Sequence, residues 1–336
     1  MGKPFILNND VKQLIIEQYG IKVFAWEEKK RVFQLLTDDG LKLLKKVNAP
    51  YDRYLFTVEA MTHGRNHGFY HIPKVMETKD GKLGIPMDDG VIMMSQWING
   101  REANYDDYFD LEITTSALAR FHHAARGFEP SIKIGSRVFW GKWVEHFQKR
   151  CKELQLFKKM AQGKEIKDDF DQKILHYTDY FYDWSIRAIG HLENSDYYRL
   201  SEESRRNKTF CHHDIAHHNV LITEDQEVHL IDFDYCILDM SIHDLASLLI
   251  RNMRYGCWAL DKAYFIWNTY NREKPILAEE IGVIKAFMEF PQEFWQIGLQ
   301  YYVEKQPWAE EVFHRRLDRI LDDIPLREVF MKKFLV

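Results

Sequence analysis

The sequence predicts an α+β protein of two lobes, with a small antiparallel β-sheet lobe over residues 1–96 and a mainly helical lobe over residues 97–336. The first observation is a series of short apolar runs before residue 97, which Asp-Gly turns separate. The second is a change, from Asn104 onward, to long amphipathic runs with helical periodicity. The third is a set of three short strand-like runs within the helical lobe, at residues 209–234.

The first lobe begins with a predicted helix over residues 10–19, where apolar residues recur at helical spacing and Gly20 follows as a stop signal. Asp39-Gly40 predicts a hairpin turn between two strands, and a second helix covers residues 51–63. The predicted strands are residues 22–26, 31–37, 41–47, 74–78 and 91–96. We therefore expect a small antiparallel sheet with one helix packed on it.

The second lobe contains predicted helices over residues 110–126, 142–162 and 168–192, and the chain is helical again beyond residue 242. Between them, residues 209–211, 220–223 and 227–233 predict strands around a turn at Glu224-Asp225.

Composition and charge exclude several classes of function. The chain of 336 residues has a net charge of -5, so it lacks the basic character typical of nucleic-acid binders. No run of about 18 uncharged apolar residues predicts a membrane span, and the amino terminus lacks a signal-peptide pattern. The four cysteines form no C-x-x-C pair. We expect synthesis in the cytoplasm, with no nucleic-acid or membrane partner.

One stretch of the sequence carries most of the chemistry. It reads His212-x-Asp214-x4-Asn219, followed by a strand, a turn, and Asp232-Phe233-Asp234. Phosphoryl transfer needs a carboxylate that orients the acceptor hydroxyl, and oxygen ligands that hold Mg²⁺ against the nucleotide phosphates. One hairpin can supply all of these groups.

This stretch resembles the catalytic loop and metal-binding segment of protein kinases and, more closely, of the aminoglycoside phosphotransferase and choline kinase superfamily. The resemblance implies a two-lobed protein-kinase-like fold and the cofactors ATP and Mg²⁺. It implies that Asp214 is the catalytic residue and that Asn219 and Asp232 bind the metal. His212 and Asp234 give structural support, and Asp234 in place of the glycine usual in protein kinases favours the small-molecule branch.

A kinase also needs a lysine for the nucleotide phosphates and a helix glutamate that holds it. On the strand at residues 41–47, alternation places Lys45 on the same face as Leu41 and Leu43, and a lysine on an apolar face needs a partner. The sequence Leu44-Lys45 fits the pattern of the superfamily, and Glu59 is the matching helix acid.

Three further residues follow from the resemblance. Met94 and Gln96 lie where the hinge of the superfamily contacts adenine through backbone groups, and Asp244 matches the Asp-Leu-Ala aspartate that braces the catalytic loop. One departure is the absence of glycine between Gly20 and Gly40, where the phosphate-covering hairpin would lie.

The doublet His213-Asp214 also suggests a metal-dependent phosphohydrolase, with neighbouring histidines as ligands. That fold would need helix around the doublet. The flanking runs, residues 220–222 and 228–231, are instead typical of strands.

A narrower resemblance is to the spore-coat kinase-like proteins of endospore-forming bacteria. It rests on four patterns, at residues 97–101, 118–122, 141–143 and 195–198. Together the two resemblances imply an ATP-dependent kinase of an alcohol group on a small-molecule acceptor, associated with the spore coat and its other proteins. The alternative is a non-catalytic coat protein on a kinase-like fold.

Overall fold

The computed structural model describes residues 7–30, 32–132 and 134–334. The chain forms two compact units, the first from residues up to 137 together with 212–237, and the second from 138–211 together with the residues after 237. These bounds differ from the predicted lobe boundary at residue 96, which stays a prediction.

A five-stranded antiparallel sheet forms the base of the first unit, with strand order β1-β2-β3-β5-β4. Its strands are β1 (Val23–Lys29), β2 (Val32–Thr37), β3 (Gly40–Val47), β4 (Ile85–Met87) and β5 (Gly90–Gln96). Gly90 is required where β4 turns into β5, because its φ is +147° and a Cβ there would lie 2.3 Å from the carbonyl oxygen of Val47.

Three helices accompany this sheet, α1 (Asn9–Tyr19), α2 (Tyr51–Asn66) and α3 (Tyr108–Ala124). The predicted first helix is confirmed, with Asn8 capping its start and Gly20 ending it at φ +73°. Its apolar face packs on one face of the sheet, in a core that includes Ile15, Leu35 and Leu44. The opposite sheet face is the one that carries Lys45.

A second, three-stranded sheet completes the first unit. Its strands are β6 (Arg101–Glu102), β7 (Val220–Ile222) and β8 (Val228–Leu230), in that order. Gly100 precedes β6 because a Cβ would lie 2.9 Å from the carbonyl oxygen of Ile222 on the neighbouring strand. The predicted hairpin around Glu224-Asp225 is therefore confirmed, and β6 was not predicted.

Two predicted strands are wrong. Residues 74–78 form only an isolated bridge between Val75 and Ser95, and the edge of the sheet is β4. Residues 209–211 also lie outside the strands, although Phe210 and Cys211 are buried. In both segments the side chains that point inward, such as Val75 and Phe210, are buried without the support of a strand ladder. The predicted strand at 31–37 begins on Arg31, which lies outside the described residues.

The second unit is helical, as predicted. Its helices are α4 (Trp143–Gln162), α5 (Asp169–Glu193), α6 (Tyr197–Arg206), α7 (Ile242–Met253), α8 (Leu260–Glu273), α9 (Ala278–Glu289), α10 (Gln292–Gly298), α11 (Glu310–Asp322) and α12 (Ile324–Lys333). A capping box between Asp168 and Asp171 fixes the start of α5. Phe157, Phe181 and Phe294 belong to the main core of this unit.

No helix in the described part of the chain has the length and apolar character needed to cross a bilayer.

Candidate active site

The β7–β8 hairpin holds two of the predicted metal-binding residues at its open end. Val220 pairs with Leu230, and beyond this pair the Ile231 N–H donates to the carbonyl of Asn219 at 3.0 Å. Asp232 follows immediately, with φ +61° and ψ +65°, and turns the chain away from the strand direction. Asn219 and Asp232 are therefore carried by adjacent ends of one hairpin.

His212 connects the predicted catalytic loop to the same hairpin. Its buried ring bonds through Nε2 to the carbonyl of Ile231 at 2.9 Å, while its Nδ1 accepts the backbone N–H of Asp214 at 3.3 Å. The ring also packs against Phe233, with 4.4 Å between the ring centroids. These contacts require the neutral imidazole with its proton on Nε2. His212 thus positions the backbone at Asp214 relative to the strand that ends at Asp232.

Asp214 and Asn219 are held together directly. The Asn219 Nδ2 donates to the Asp214 carboxylate at 2.8 Å and to the Asp214 carbonyl at 3.0 Å. Because the amide nitrogen is used in this way, the Oδ1 of Asn219 is the atom of that side chain that can bind a cation. The His213-Asp214 doublet lies in an irregular loop and not on a helix, as expected for this hairpin and not for a phosphohydrolase helix.

Lys45 reaches the end of the hairpin from β3. Its Nζ lies 2.8 Å from Oδ1 of Asp232 and 2.7 Å from Oδ2 of Asp234. Burial lowers the pKa of Lys45, but the charges of Asp234 and Asp232 outweigh burial and raise that pKa above its usual value. For the acidic Asp232 burial has the opposite effect and raises the pKa. The charge and the hydrogen bond of Lys45 outweigh burial, so the pKa of Asp232 is lower than usual. Lys45 and Asp232 are therefore both charged at neutral pH.

Arg137 bonds to the backbone of the segment that follows Asp232, and it is not among the residues predicted from the sequence. Its Nη1 donates to the carbonyl of Cys236 at 2.8 Å and its Nη2 to the carbonyl of Asp234 at 2.6 Å. The side chain is buried, with 4 % of its surface exposed. A single arginine at the end of the short 3-10 turn Gly135–Arg137 gives no periodic or motif signal, so only the folded chain reveals this contact.

Glu59 does not meet Lys45. Its carboxylate accepts hydrogen bonds from the backbone N–H of Ser131, at 2.9 Å, and from the Ser131 hydroxyl. The ion pairs of Lys45 are with Asp232 and Asp234 instead. The structure therefore separates the lysine and the glutamate that the sequence prediction joined.

The two predicted hinge residues lie at the end of β5. Met94 is buried in the core of the sheet, and its carbonyl accepts the N–H of Met76 at 2.9 Å. The N–H of Gln96 donates to the carbonyl of Lys74 at 2.9 Å. Both of these backbone groups are already used within the protein.

Asp244 belongs to the second unit, in the first turn of α7, and is fully buried. The pKa of the Cys211 thiol is raised, mainly because Cys211 is buried and also because of the negative charge of Asp244. The structure gives Asp244 a place in the core of that unit.

An apolar surface adjoins Lys45 on the same face of the sheet. Strand pairing aligns Leu36 with Leu41, and alternation places Leu43 next to Lys45. Leu36 is 47 % exposed and Leu41 42 % exposed, so the pair forms a small apolar patch that solvent or a ligand can reach. The first unit thus holds side-chain oxygens that could bind a hard cation, an ammonium group that could bind an anion, and an apolar surface.

Comparison with known proteins found relatives in sequence and in structure. Spore coat protein S of Bacillus subtilis (strain 168) is 25% identical over 311 residues, which cover 90% of this chain and 86% of that protein. The crystal structure of an aminoglycoside phosphotransferase from Alicyclobacillus acidocaldarius superposes with a TM-score of 0.83 at 22% identity, covering 99% of this chain and 96% of that chain. The spectinomycin phosphotransferase APH(9)-Ia, solved with ADP and spectinomycin, gives a TM-score of 0.61 at 13% identity, covering 97% and 98%.

The structural matches show a kinase-like fold, so the predicted fold class is confirmed. A family model described as "Spore coat putative kinase YutH" matches residues 12–334. This chain therefore belongs to the YutH family of spore coat kinase-like proteins.

Proposed function

We propose that this protein is an ATP- and Mg²⁺-dependent phosphotransferase that acts on an alcohol group of a hydroxylated small molecule and is associated with the spore coat. The observation that carries the proposal is the position of Lys45, whose ammonium group contacts both Asp232 and Asp234 across 187 and 189 residues of sequence. Such a contact brings a cation for phosphate next to the predicted metal ligands.

The residues of the candidate site have distinct roles in this proposal. Asp232 and the Oδ1 of Asn219 would hold Mg²⁺, which neutralises phosphate charge when bound. Lys45 would bind the nucleotide phosphates. Asp214 would orient the acceptor hydroxyl and accept its proton, and the hydrogen bond from Asn219 keeps the Asp214 carboxylate in place. His212 and Arg137 act by positioning the segments that carry these groups.

The apolar surface beside Lys45 is suited to the adenine ring, which would lie against Leu36, Leu41 and Leu43. Since the Met94 carbonyl and the Gln96 N–H already have partners, adenine would have to share them or use the backbone groups that follow Gln96. The family description and the name of the B. subtilis relative support the coat association. The complex of the spectinomycin phosphotransferase supports a small-molecule acceptor.

The test is an ATP-consumption screen over hydroxylated metabolites and coat proteins, followed by kinetics with Asp214→Ala. Loss of the base should lower turnover by about 10²- to 10⁴-fold without changing the melting temperature by more than a few degrees. Asp225→Ala is the matched control, because Asp225 lies in the exposed turn of the same hairpin. Undiminished transfer by Asp214→Ala would show that its assigned role is wrong.

A second candidate is a non-catalytic coat protein on the same fold. Two observations favour it: Glu59 is bonded to Ser131 and not to Lys45, and the β1–β2 hairpin turns at Lys30 without a glycine. Magnesium-dependent thermal stabilisation by ATP separates the two candidates, because only an intact nucleotide site would produce it.

A further inference from the structure

A group of three metal-ligand side chains lies outside the proposed phosphotransfer site. His71 is in the segment after α2, Glu227 is in the turn of the β7–β8 hairpin, and His229 is on β8. The chain already ties these segments together, since the N–H of Leu230 donates to the carbonyl of His71 at 2.9 Å. One ligand atom from each of the three side chains lies within 4.8 Å of the other two.

The spacing fits a small transition-metal ion. In a tetrahedral zinc site with ligands at about 2.0–2.2 Å, neighbouring ligand atoms are about 3.3–3.6 Å apart. The Nδ1 of His71 lies 3.6 Å from Oε2 of Glu227, and the rings of His71 and His229 are 5.0 Å apart and nearly perpendicular. Small side-chain rotations would therefore bring all three atoms to bonding distance of one ion.

His229 has unused bonding capacity. Its Nδ1 is buried and has no hydrogen-bond partner among the residues that the structure describes. Such a buried nitrogen is normally satisfied by a donor, a water or a metal ion.

We propose that His71, Glu227 and His229 form a binding site for a divalent transition-metal ion of the Zn²⁺ type. Two imidazoles and one carboxylate suit zinc and its neighbours, whereas Mg²⁺ and Ca²⁺ prefer oxygen ligands alone. The guanidinium of Arg65, which donates to the Tyr70 carbonyl at 2.7 Å, is close enough to act on His229 and opposes the ion. The negative charge of Glu227 offsets it.

The ion would cross-link the β7–β8 hairpin to the segment that follows α2. His229 precedes Asp232 by three residues on the same strand and its continuation, so the ion would restrict the part of the hairpin that presents Asp232. The site is thus a structural metal site that supports the phosphotransfer hairpin without taking part in its chemistry.

The experiment titrates the metal-free full-length chain with Zn²⁺ in competition with a chromogenic zinc chelator. We expect one high-affinity site in the unaltered protein, and a zinc-dependent rise in melting temperature. Glu227→Gln should weaken zinc binding at least about 10-fold and His229→Ala at least about 100-fold, because each removes a direct ligand. Glu227 is exposed, so Glu227→Gln leaves the fold intact, which circular dichroism without metal verifies for both variants.

His217 and His218 supply the matched control. They are exposed adjacent imidazoles at the other end of the hairpin, with ring centroids 5.3 Å apart. The double variant His217→Ala/His218→Ala should keep the high-affinity site. The proposal is overturned if the unaltered protein has no such site, or if Glu227→Gln and His229→Ala bind zinc as tightly as it does. The titration contains neither nucleotide nor magnesium, so its result is independent of the proposed function.

Discussion

Replacement of Lys45 by methionine tests the electrostatics of the candidate site most sharply. The substitution keeps the side-chain volume but leaves Asp232 and Asp234 without their shared cation. At 2.8 Å and an effective dielectric constant of about 20, each pair has a Coulomb energy of about 6 kcal/mol before desolvation is subtracted. Because the Asp232 side chain is 41 % exposed, water screens much of this, and we expect a net loss of about 2 kcal/mol in the free energy of unfolding.

Lys46→Met is the matched control on the same strand. Lys46 points to the opposite face of β3 and pairs with Asp89, whose carboxylate side chain is 70 % exposed. Lys46 is itself only 14 % exposed, but the Asp89 carboxylate lies largely in water, so the pair contributes little and the control should lose no more than about 1 kcal/mol. Urea denaturation at pH 7 measures both variants.

The pH dependence of the stability lost in Lys45→Met tests the directions of the pKa shifts of Asp232 and Lys45. The folded-state pKa of Asp232 is lowered, so its contribution to stability is present above the ordinary aspartate pKa of about 3.9 and is lost as pH falls through the lowered value. The folded-state pKa of Lys45 is raised, so its contribution is fully present below the ordinary lysine pKa of about 10.4. The difference from the unaltered protein should be constant from about pH 5 to 9 and shrink in acid. If Lys45→Met is as stable as Lys46→Met at pH 7, Lys45 does not stabilise the carboxylates of Asp232 and Asp234.

Three other substitutions test particular contacts. Glu59→Gln should leave MgATP affinity unchanged, because Glu59 bonds to a serine and not to the site lysine; a loss of about 10-fold or more by calorimetry would restore the role predicted from sequence. Arg137→Lys should reduce stability to urea by about 1–3 kcal/mol, because one ammonium group cannot replace the fork that bonds two carbonyls, and an unchanged midpoint would contradict this. Gly90→Ala should lower the free energy of unfolding by about 2–4 kcal/mol, because the new Cβ would meet the Val47 carbonyl. Gly81→Ala is the control, because Gly81 has φ +77° but nothing lies within 4 Å of its Cβ position, and it should lose only about 1–2 kcal/mol. Equal losses would show that the close approach at Gly90 is unimportant.

Much of the architecture follows from local sequence signals. The helix at Asn9–Tyr19 and the hairpin at Gly40 have both periodicity and turn residues that agree, and the structure contains both. The spacing from His212 to Asp232 sufficed to place a loop and a hairpin in order. Strand alternation put Lys45 on the correct face of β3, where it reaches Asp232.

The failures are contacts that depend on distant parts of the chain. Residues 74–78 have strand-like composition, but a ladder also needs a partner in register, and there only an isolated bridge forms. Glu59 was assigned by its place on a helix, whereas its partner is set by where Ser131 lies after folding. The contact of Arg137 with the backbone of Asp234 spans 97 residues and leaves no mark on the sequence.

We propose that Lys45, Asn219 and Asp232 form one site for a nucleotide and its metal ion. Isothermal titration of the protein with ATP, with and without Mg²⁺, measures this binding. We expect one ATP per chain, with an affinity that falls at least about 100-fold without Mg²⁺ or in Asp232→Ala. No binding at millimolar MgATP, or the same affinity in Asp232→Ala, would contradict it.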